Sequence, residues 1–265
     1  MKVFVISLER ATERREYIKS HFSALNVDYE IIDAVDYKQL TDHEFATLAS
    51  SEAMAKNPYL TKGMVACALS HVKIFKKIVN DNIEKALVVE DDVSLPKNID
   101  TILREIESVV ADDEVITLSY YSHSGDVTEL SNKGAISLAS GNKLFYPVDI
   151  ECIASTMAYI ITRSVAEKMA DILMPISVQP DYWGVYYEKG AFKSFKCLYP
   201  IQAKPAAFRS TLDYASASSL KSRLASFVRN YKVPFLYSYL EKRSQNLIDQ
   251  KHAINMIEKK PFHIK

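Results

Sequence analysis

Three consecutive carboxylates, Glu90-Asp91-Asp92, follow the short apolar run Ala86-Leu87-Val88-Val89. The run is compact and rich in β-branched residues, so it reads as a buried strand with the acids at its C-terminal end. Like charges crowded beside a low-dielectric core repel one another. A hard divalent cation, Mn2+ or Mg2+, bridged to phosphate oxygens would relieve that repulsion. In open α/β sheets, ligands bind off the carboxyl ends of the strands. Alternation along a strand sends Glu90 and Asp92 to one side and Asp91 to the other. The plain alternative is a solvated acidic turn that ends a strand.

The elements needed to position this cluster are legible on both sides of it. Val3 to Leu8 is a buried strand, and Thr12 reads as the cap of a helix carrying Tyr17, Ile18, Phe22 and Leu25 on one face. Asp28 to Asp33 completes a βαβ unit, the seed of a parallel sheet. A polar helical stretch spans Thr41 to Met54, and a stronger helix opens at Thr61-Lys62-Gly63 and runs to about Asn80. After the acids come a helix from Ile99 to Val110 and a strand from Glu114 to Leu118. Tyr121 to Gly141 reads as a loop rich in Ser, Gly, Asn and Asp. Then follow a strand from Ser155 to Thr162, a helix from Ser164 to Leu173, a helix start at Gln179-Pro180-Asp181 and a strand from Phe192 to Tyr199. Alternating βα units predict an α/β fold, a mostly parallel sheet flanked by helices over residues 1–205. A basic, aromatic, helical extension is expected over 206–265.

Composition narrows the partners. The 265 residues balance 33 basic against 33 acidic side chains, which gives no polycationic signal for nucleic acid. The balance is uneven along the chain: from Leu220 to Lys265 ten basic residues face three acidic ones, so this tail is +7 and the rest −7. Such a tail is expected to meet an anionic surface. Only six glycines are present and no glycine-rich phosphate cradle occurs, so any phosphate is held by other means. Cys67, Cys152 and Cys197 are odd in number and far apart, which excludes a zinc ribbon or a dithiol redox pair. No run approaches the ~18 apolar residues of a membrane span, and the first apolar run is too soon interrupted for a signal peptide. The expected location is cytoplasmic.

Several segments together resemble glycosyltransferase family 25, the lipooligosaccharide galactosyl- and glucosyltransferases. Val88-Val89-Glu90-Asp91-Asp92-Val93 is similar to the family's L-[IV]-x-E-D-D-[VI] signature. Val5-Ile6-Ser7-Leu8-Glu9-Arg10, continuing to Arg14-Arg15, resembles its opening V-I-N-L-x-R-x-x-x-R-R, with Ser7 where Asn is usual. Asp33-Ala34-Val35-Asp36 resembles the A-V-D/A-x-D step, and Leu60 to His71 resembles L-T-x-G-E-I-G-C-x-L-S-H, with Met64 and Ala66 as departures. Thr156 to Thr162 and Gln179-Pro180-Asp181 match the later T-x-A-Y-x-I-S and P-x-D segments. The likeness covers roughly residues 1–205.

The resemblance implies a GT-A-like, Rossmann-like fold, a UDP-galactose or UDP-glucose donor, a divalent metal and a lipid-linked oligosaccharide acceptor. It implies Asp92 as metal ligand with Glu90 beside it, and Ser7, Leu8, Arg10, Asp36, Ser70, His71, Glu90 and Asp91 as donor-binding residues. Inverting sugar transfer needs a base for the acceptor hydroxyl. Asp181 is the first candidate, Glu151 the alternate and Glu188 a third. His71 lies on an apolar helix, where a satisfied core histidine is the other explanation. Arg10 and Arg15 follow the first strand and could reach phosphate, whereas Arg14 reads as surface charge. Tyr182, Trp183, Tyr186 and Tyr187 either stack a sugar ring or pack beneath the site. The basic tail, with Arg223, Arg229, Lys232, Lys242 and Arg243 among Phe227, Tyr231, Phe235, Leu236, Tyr239 and Leu240, is expected to dock on the inner leaflet of the cytoplasmic membrane. Packing on the catalytic domain or in a homodimer is the alternative. Other function classes consistent with acids after a strand are a phosphoacceptor module, a nucleotide-sugar-binding module without activity, and a metal phosphohydrolase.

Overall fold

A computed structural model describes residues 1–123, 127–206, 208, 228, 235, 236, 238, 239 and 253–263. Most of the basic tail, including Arg223, Arg229, Lys232, Lys242 and Arg243, lies outside the described residues.

The first βαβ unit forms as the pattern predicts. Strand β1 (Lys2–Ser7) is buried from Val3 onward, α1 spans Thr12–Leu25, and β2 (Glu30–Asp33) pairs parallel to β1. Ala11, not Thr12, is the N-cap of α1, because the Ala11 amide closes a turn on the Leu8 carbonyl and its own carbonyl accepts the first helical bond from Arg15. The buried stripe of α1 is Arg14, Ile18, Phe22 and Leu25.

The stretch from Thr41 divides into α2 (Asp42–Leu48) and α3 (Ser51–Lys56). Between them Ala49 turns extended to bridge Ile176, and the Ser50 amide donates to the Ile176 carbonyl, so a distant segment interrupts the helix. Both helices keep their own polar caps, Thr41 with Glu44 in a reciprocal box and Ser50 on Ala53. Helix α4 (Lys62–Asn80) is capped by Thr61 and turns eleven residues into the interior, His71 among them.

Strand β3 (Lys85–Glu90) enters the sheet beside β1, and β4 (Val93–Ser94) follows the acids. The remaining elements are α5 (Ile99–Val109), β5 (Glu114–Thr117), β6 (Tyr121–Ser122), β7 (Thr128–Ser137), β8 (Lys143–Pro147), β9 (Ile153–Ala154), β10 (Ala158–Thr162), α6 (Arg163–Ile172), α7 (Trp183–Glu188), β11 (Ser194–Tyr199), β12 (Lys204–Pro205) and β13 (Ile254–Ile257). The main sheet has the order β13-β7-β8-β11-β5-β10-β3-β1-β2. Seven of its nine strands point one way, and only β8 and β10 oppose them. This is the expected α/β architecture.

Two expectations fail in the second half. The polar stretch from Tyr121 to Gly141 contains β6 and the ten-residue β7 rather than a loop. Its register against β8 shifts between Ser131 and Ile136, and Gly134 takes a φ of +77 inside that irregularity. A strand stabilised by distant partners needs little local signal. Within the extension expected to be helical, Ile254–Ile257 is a strand that pairs parallel to β7 in the same sheet.

Helices cover both sheet faces. Phe4, Val88 and Ile161 point into a core shared with α4 and α6; Val3, Val5, Leu87, Val89 and Ile160 point into another shared with α1 and α5. Strands alternating between two dry layers read as continuous apolar runs, and β3 is an interior strand, third from the β2 edge of the sheet.

Candidate active site

In the register of β1 against β3, Ile6 lies opposite Glu90, which brings Ser7 beside Asp91. The Ser7 hydroxyl donates to Asp91 Oδ2 at 2.7 Å, and the Arg14 guanidinium closes on Asp91 Oδ1. Arg14 also lies 3.2 Å from Asp92 Oδ2. Arg14 is therefore no surface charge: it is 8% exposed and supplies the countercharge of the acid cluster. Arg15, one position on, turns outward to bond the Ser7 and Leu8 carbonyls and Asp33, holding β1 to β2. Breaking a buried ion pair from one side costs roughly 3–5 kcal/mol, because the remaining charge is stranded. Arg14→Met is expected to lose about that much stability, and Arg14→Met with Asp91→Asn to recover part of it, as read by urea unfolding.

Glu90 and Asp92 face a cleft of about 1120 Å³, while Asp91 does not line it. The Thr156 hydroxyl donates to Glu90 Oε1 at 2.8 Å. Asp92 Oδ1 is buried with no hydrogen-bond partner, and its carbonyl accepts from the Ala206 amide at 2.6 Å. Phe208, on the same crossing segment, covers the Arg14 guanidinium at 5.4 Å. The N-terminal half of α4 adds Met64 and Cys67 to the wall, with Thr61 at its cap. Burial pushes the Cys67 thiol well above its ordinary range, so it is not a ready nucleophile.

All three base candidates, Asp181, Glu151 and Glu188, line the same cleft. Asp181 is not in a first helical turn, because α7 begins at Trp183 with Tyr182 as its N-cap. Asp181 Oδ2 instead accepts the Ser155 amide at 3.2 Å, while the Ser155 carbonyl accepts from Trp183 Nε1 at 3.2 Å. Ser155 is held between them at a φ of 103, outside the usual range for a residue with a side chain. Glu151 packs on α7 so closely that a Cβ on Gly184 would lie 2.9 Å from its Cα, which makes glycine necessary there. Trp183 and Tyr186 are buried beneath the site, whereas Tyr182 faces the cleft.

The other predicted residues are assembled elsewhere. Arg10 pairs with Asp36 at 2.5 Å, which holds the Asp36 carboxyl below its ordinary range; neither lines the cleft. Ser7 and Leu8 are also absent from the cleft wall. Ser70 accepts from the Val35 amide and donates to the Ala66 carbonyl, tying α4 to the turn after β2. His71 is buried, with Nδ1 2.7 Å from the Tyr159 hydroxyl and Nε2 unpartnered. Arg14, Thr156 and Phe208 are among the wall residues that sequence reading missed, as are Tyr59 and His123. For Arg14 a signal existed, since stepping back four residues from Ile18 along the Ile18-Phe22-Leu25 stripe reaches it.

Burial, then the charge of Asp92, with smaller contributions from Asp91 and Asp181, pushes the Glu90 carboxyl up to about 8 against the opposing Thr156 bond. Burial likewise raises Asp92, although Arg14 opposes it. Between the ordinary value of 4.5 and about 8 the folded protein thus keeps a proton on Glu90 that the unfolded chain has lost. Stability without metal must therefore fall as pH rises through that window. His71, lowered by burial to about 3 from 6.5, acts at the other end: stability falls as pH drops below 6.5. We expect metal-free Glu90→Gln to melt above wild type at pH 8.5, by roughly 2–4 °C per kcal/mol recovered, and to match it at pH 4.5. Differential scanning fluorimetry across that range checks both limits.

Such a site suits a cation. The buried, unpartnered Asp92 Oδ1 and the mutually repelling Glu90 are oxygen donors of the type that Mn2+ or Mg2+ takes. Among the described residues no group of three or more His, Cys, Asp or Glu is arranged to hold a metal. The remaining ligands would have to come from substrate and water.

The family model described as glycosyltransferase family 25 (LPS biosynthesis protein) matches residues 1–183. Procollagen galactosyltransferase 1-A of Xenopus laevis is 28% identical over 199 residues, 71% of this chain and 31% of that protein. A glycosyltransferase 25 family member of Anopheles gambiae is 37% identical over 97 residues, 34% of this chain and 16% of the relative. The chain matches under a third of the length of these relatives. Among solved structures, a glycosyltransferase involved in the glycosylation of the major capsid of PBCV-1 aligns at a TM-score of 0.36 and 12% identity, over 74% of this chain and 81% of the other. The family match takes in β1, the acid cluster, Thr156 and Asp181, and on it this chain belongs to glycosyltransferase family 25.

Proposed function

We propose that the protein transfers a hexose, galactose or glucose, from a UDP-sugar to a lipooligosaccharide core acceptor, with inversion at the anomeric carbon. The observation that carries this reading is one cleft at the C-terminal end of β3 that Glu90, Asp92 and Asp181 all line. Asp92, with Glu90 beside it, would hold a divalent cation, Mn2+ or Mg2+. That ion would supply charge neutralisation for the departing diphosphate. Arg14 pairs with Asp92 and adds positive charge to the cleft lining. Asp181 accepts the proton of the acceptor hydroxyl as its oxygen bonds to the sugar C1 and the bond from C1 to the diphosphate breaks. Glu151 is the second carboxylate in the same cleft. Thr156 and the Ser155 amide, on adjacent residues, fix Glu90 and Asp181 respectively.

The reading is tested by incubating the protein with UDP-galactose and UDP-glucose, with and without Mn2+, and with a lipooligosaccharide core acceptor. Metal-stimulated release of UDP that depends on the acceptor supports it; no release with either donor overturns it.

The basic tail would present the enzyme to a lipid-linked acceptor on the inner face of the cytoplasmic membrane. Phe235, Leu236 and Tyr239 are 90%, 53% and 60% exposed, as interfacial anchors would be. No described helix is long and apolar enough to cross a membrane. We expect co-sedimentation with anionic vesicles at low salt and its loss at high salt or with neutral lipid. Binding indifferent to charge and salt, or none, assigns the tail to packing or to a homodimer.

A further inference from the structure

We propose that the mouth of the cleft beside Asp181 is a built binding site for an uncharged pyranose ring, formed by Tyr59, Tyr182 and His123. The inference deepens the transferase reading by naming the chemical class of acceptor sugar, and it rests on that reading.

Three separate segments bring these rings to the cleft wall. Tyr59 precedes α4, His123 follows β6, and Tyr182 is the N-cap of α7. His123 meets Tyr182 edge to face, with centroids 4.9 Å apart and planes at 84°. The His123 amide donates to the Cys152 carbonyl at 2.8 Å, which secures the end of β6. The Tyr59 segment is fastened across to the Asp181 segment: Asn57 Oδ1 accepts from the Tyr59 amide at 3.0 Å, and Asn57 Nδ2 donates to Gln179 Oε1 at 3.2 Å. Gln179 is buried, and its carbonyl accepts from the Tyr186 hydroxyl at 2.7 Å. Tyr59, Asp181 and Tyr182 line one cleft; burial, then Asp181, pushes the Tyr182 hydroxyl above its ordinary range against an opposing hydrogen bond with Gln179.

With so much backbone secured, Tyr59 nevertheless leaves 69% of itself in solvent. An exposed aromatic face on a braced segment, beside an edge-to-face aromatic pair and a carboxylate, suits the apolar C–H face of a pyranose with a hydroxyl directed at Asp181. Charge sets the class. Glu151, Asp181 and Glu188 line the cleft, and the one Lys or Arg among the described lining residues is Arg14, committed to Asp91 and Asp92. An anionic sugar would meet like charge at this end of the cleft, with no Lys or Arg other than Arg14 among the described lining residues to receive it.

The test is saturation-transfer NMR on the full chain with UDP and Mn2+ present, using methyl β-glucopyranoside as the neutral probe and methyl β-glucuronide as the anionic one. Tyr59→Ala, at an exposed position that leaves the fold intact, should weaken the neutral glycoside roughly two- to tenfold, as loss of one aromatic contact does. Tyr59→Phe should retain it, Tyr182→Ala should weaken it comparably, and UDP affinity should not change in any variant. The glucuronide should bind more weakly than the neutral glycoside. Unchanged glycoside affinity in both alanine variants, equal binding of the glucuronide, or no saturation of the neutral probe by wild type overturns the site. Wild type that binds the glycoside but not UDP with Mn2+ keeps the site and removes the transferase reading instead.

Discussion

Asp92→Asn is expected to abolish measurable transfer, a loss of at least about a hundredfold, the scale on which removal of one preorganised electrostatic contact to a developing charge is felt. The fold should survive. Burial already disfavours the charged form of Asp92 in the folded protein, so removing the charge relieves repulsion with Glu90 and Asp91 rather than creating it. Arg14 keeps its contact with Asp91, and the Asp92 carbonyl keeps the Ala206 amide. The thermal midpoint without metal should therefore equal or exceed that of wild type. The second readout is UDP affinity with and without Mn2+: wild type should gain affinity from the ion, and the variant should not. Full activity of Asp92→Asn at saturating Mn2+ would remove Asp92 from the metal.

Asp181→Asn should lower kcat by roughly a hundred- to ten-thousandfold, the range for loss of a general base, while UDP affinity stays unchanged. Asparagine is the informative substitution because its Oδ1 can still accept the Ser155 amide, so the backbone held at a φ of 103 keeps its anchor. Asp181→Ala would confound the loss of a base with release of that segment, which also carries Thr156 and its bond to Glu90. Glu151→Gln is the matched comparison in the same cleft. A loss below about tenfold in Asp181→Asn, outside the range for a base, makes Asp181 the anchor of Ser155 alone. A larger loss in Glu151→Gln then moves the base there.

The strands that carry the acid cluster were legible because their information is local. Val3 to Ile6 and Ala86 to Val89 are apolar on both faces, and only a strand between two helical layers buries such a run. Alternation continued past the strand set Glu90 and Asp92, which line the cleft, apart from Asp91, although β3 itself ends at Glu90. Helix α4 was equally plain, from its Thr61 cap and its 3.6-residue period. The segment Tyr121 to Gly141 was not, since β7 gains its stability from β8 and β13, the latter more than a hundred residues away in sequence. The same holds for Ala49, whose extended turn is imposed by Ile176.

Within the site, sequence alone determined which residue types could do chemistry and on which elements they ride: an acidic strand end, a later Pro-Asp, and an aromatic run beside it. Tertiary structure decided which of them share a cleft. It turned Arg14 inward as the countercharge, spent Arg10 on Asp36, sent Ser70 and His71 into the core, and brought Phe208 and Thr156 to the acids. The physical reason is that a side chain's period along its own element fixes only the direction in which it points. What stands in that direction depends on sheet order and register, and these are settled by pairings between segments far apart in the chain.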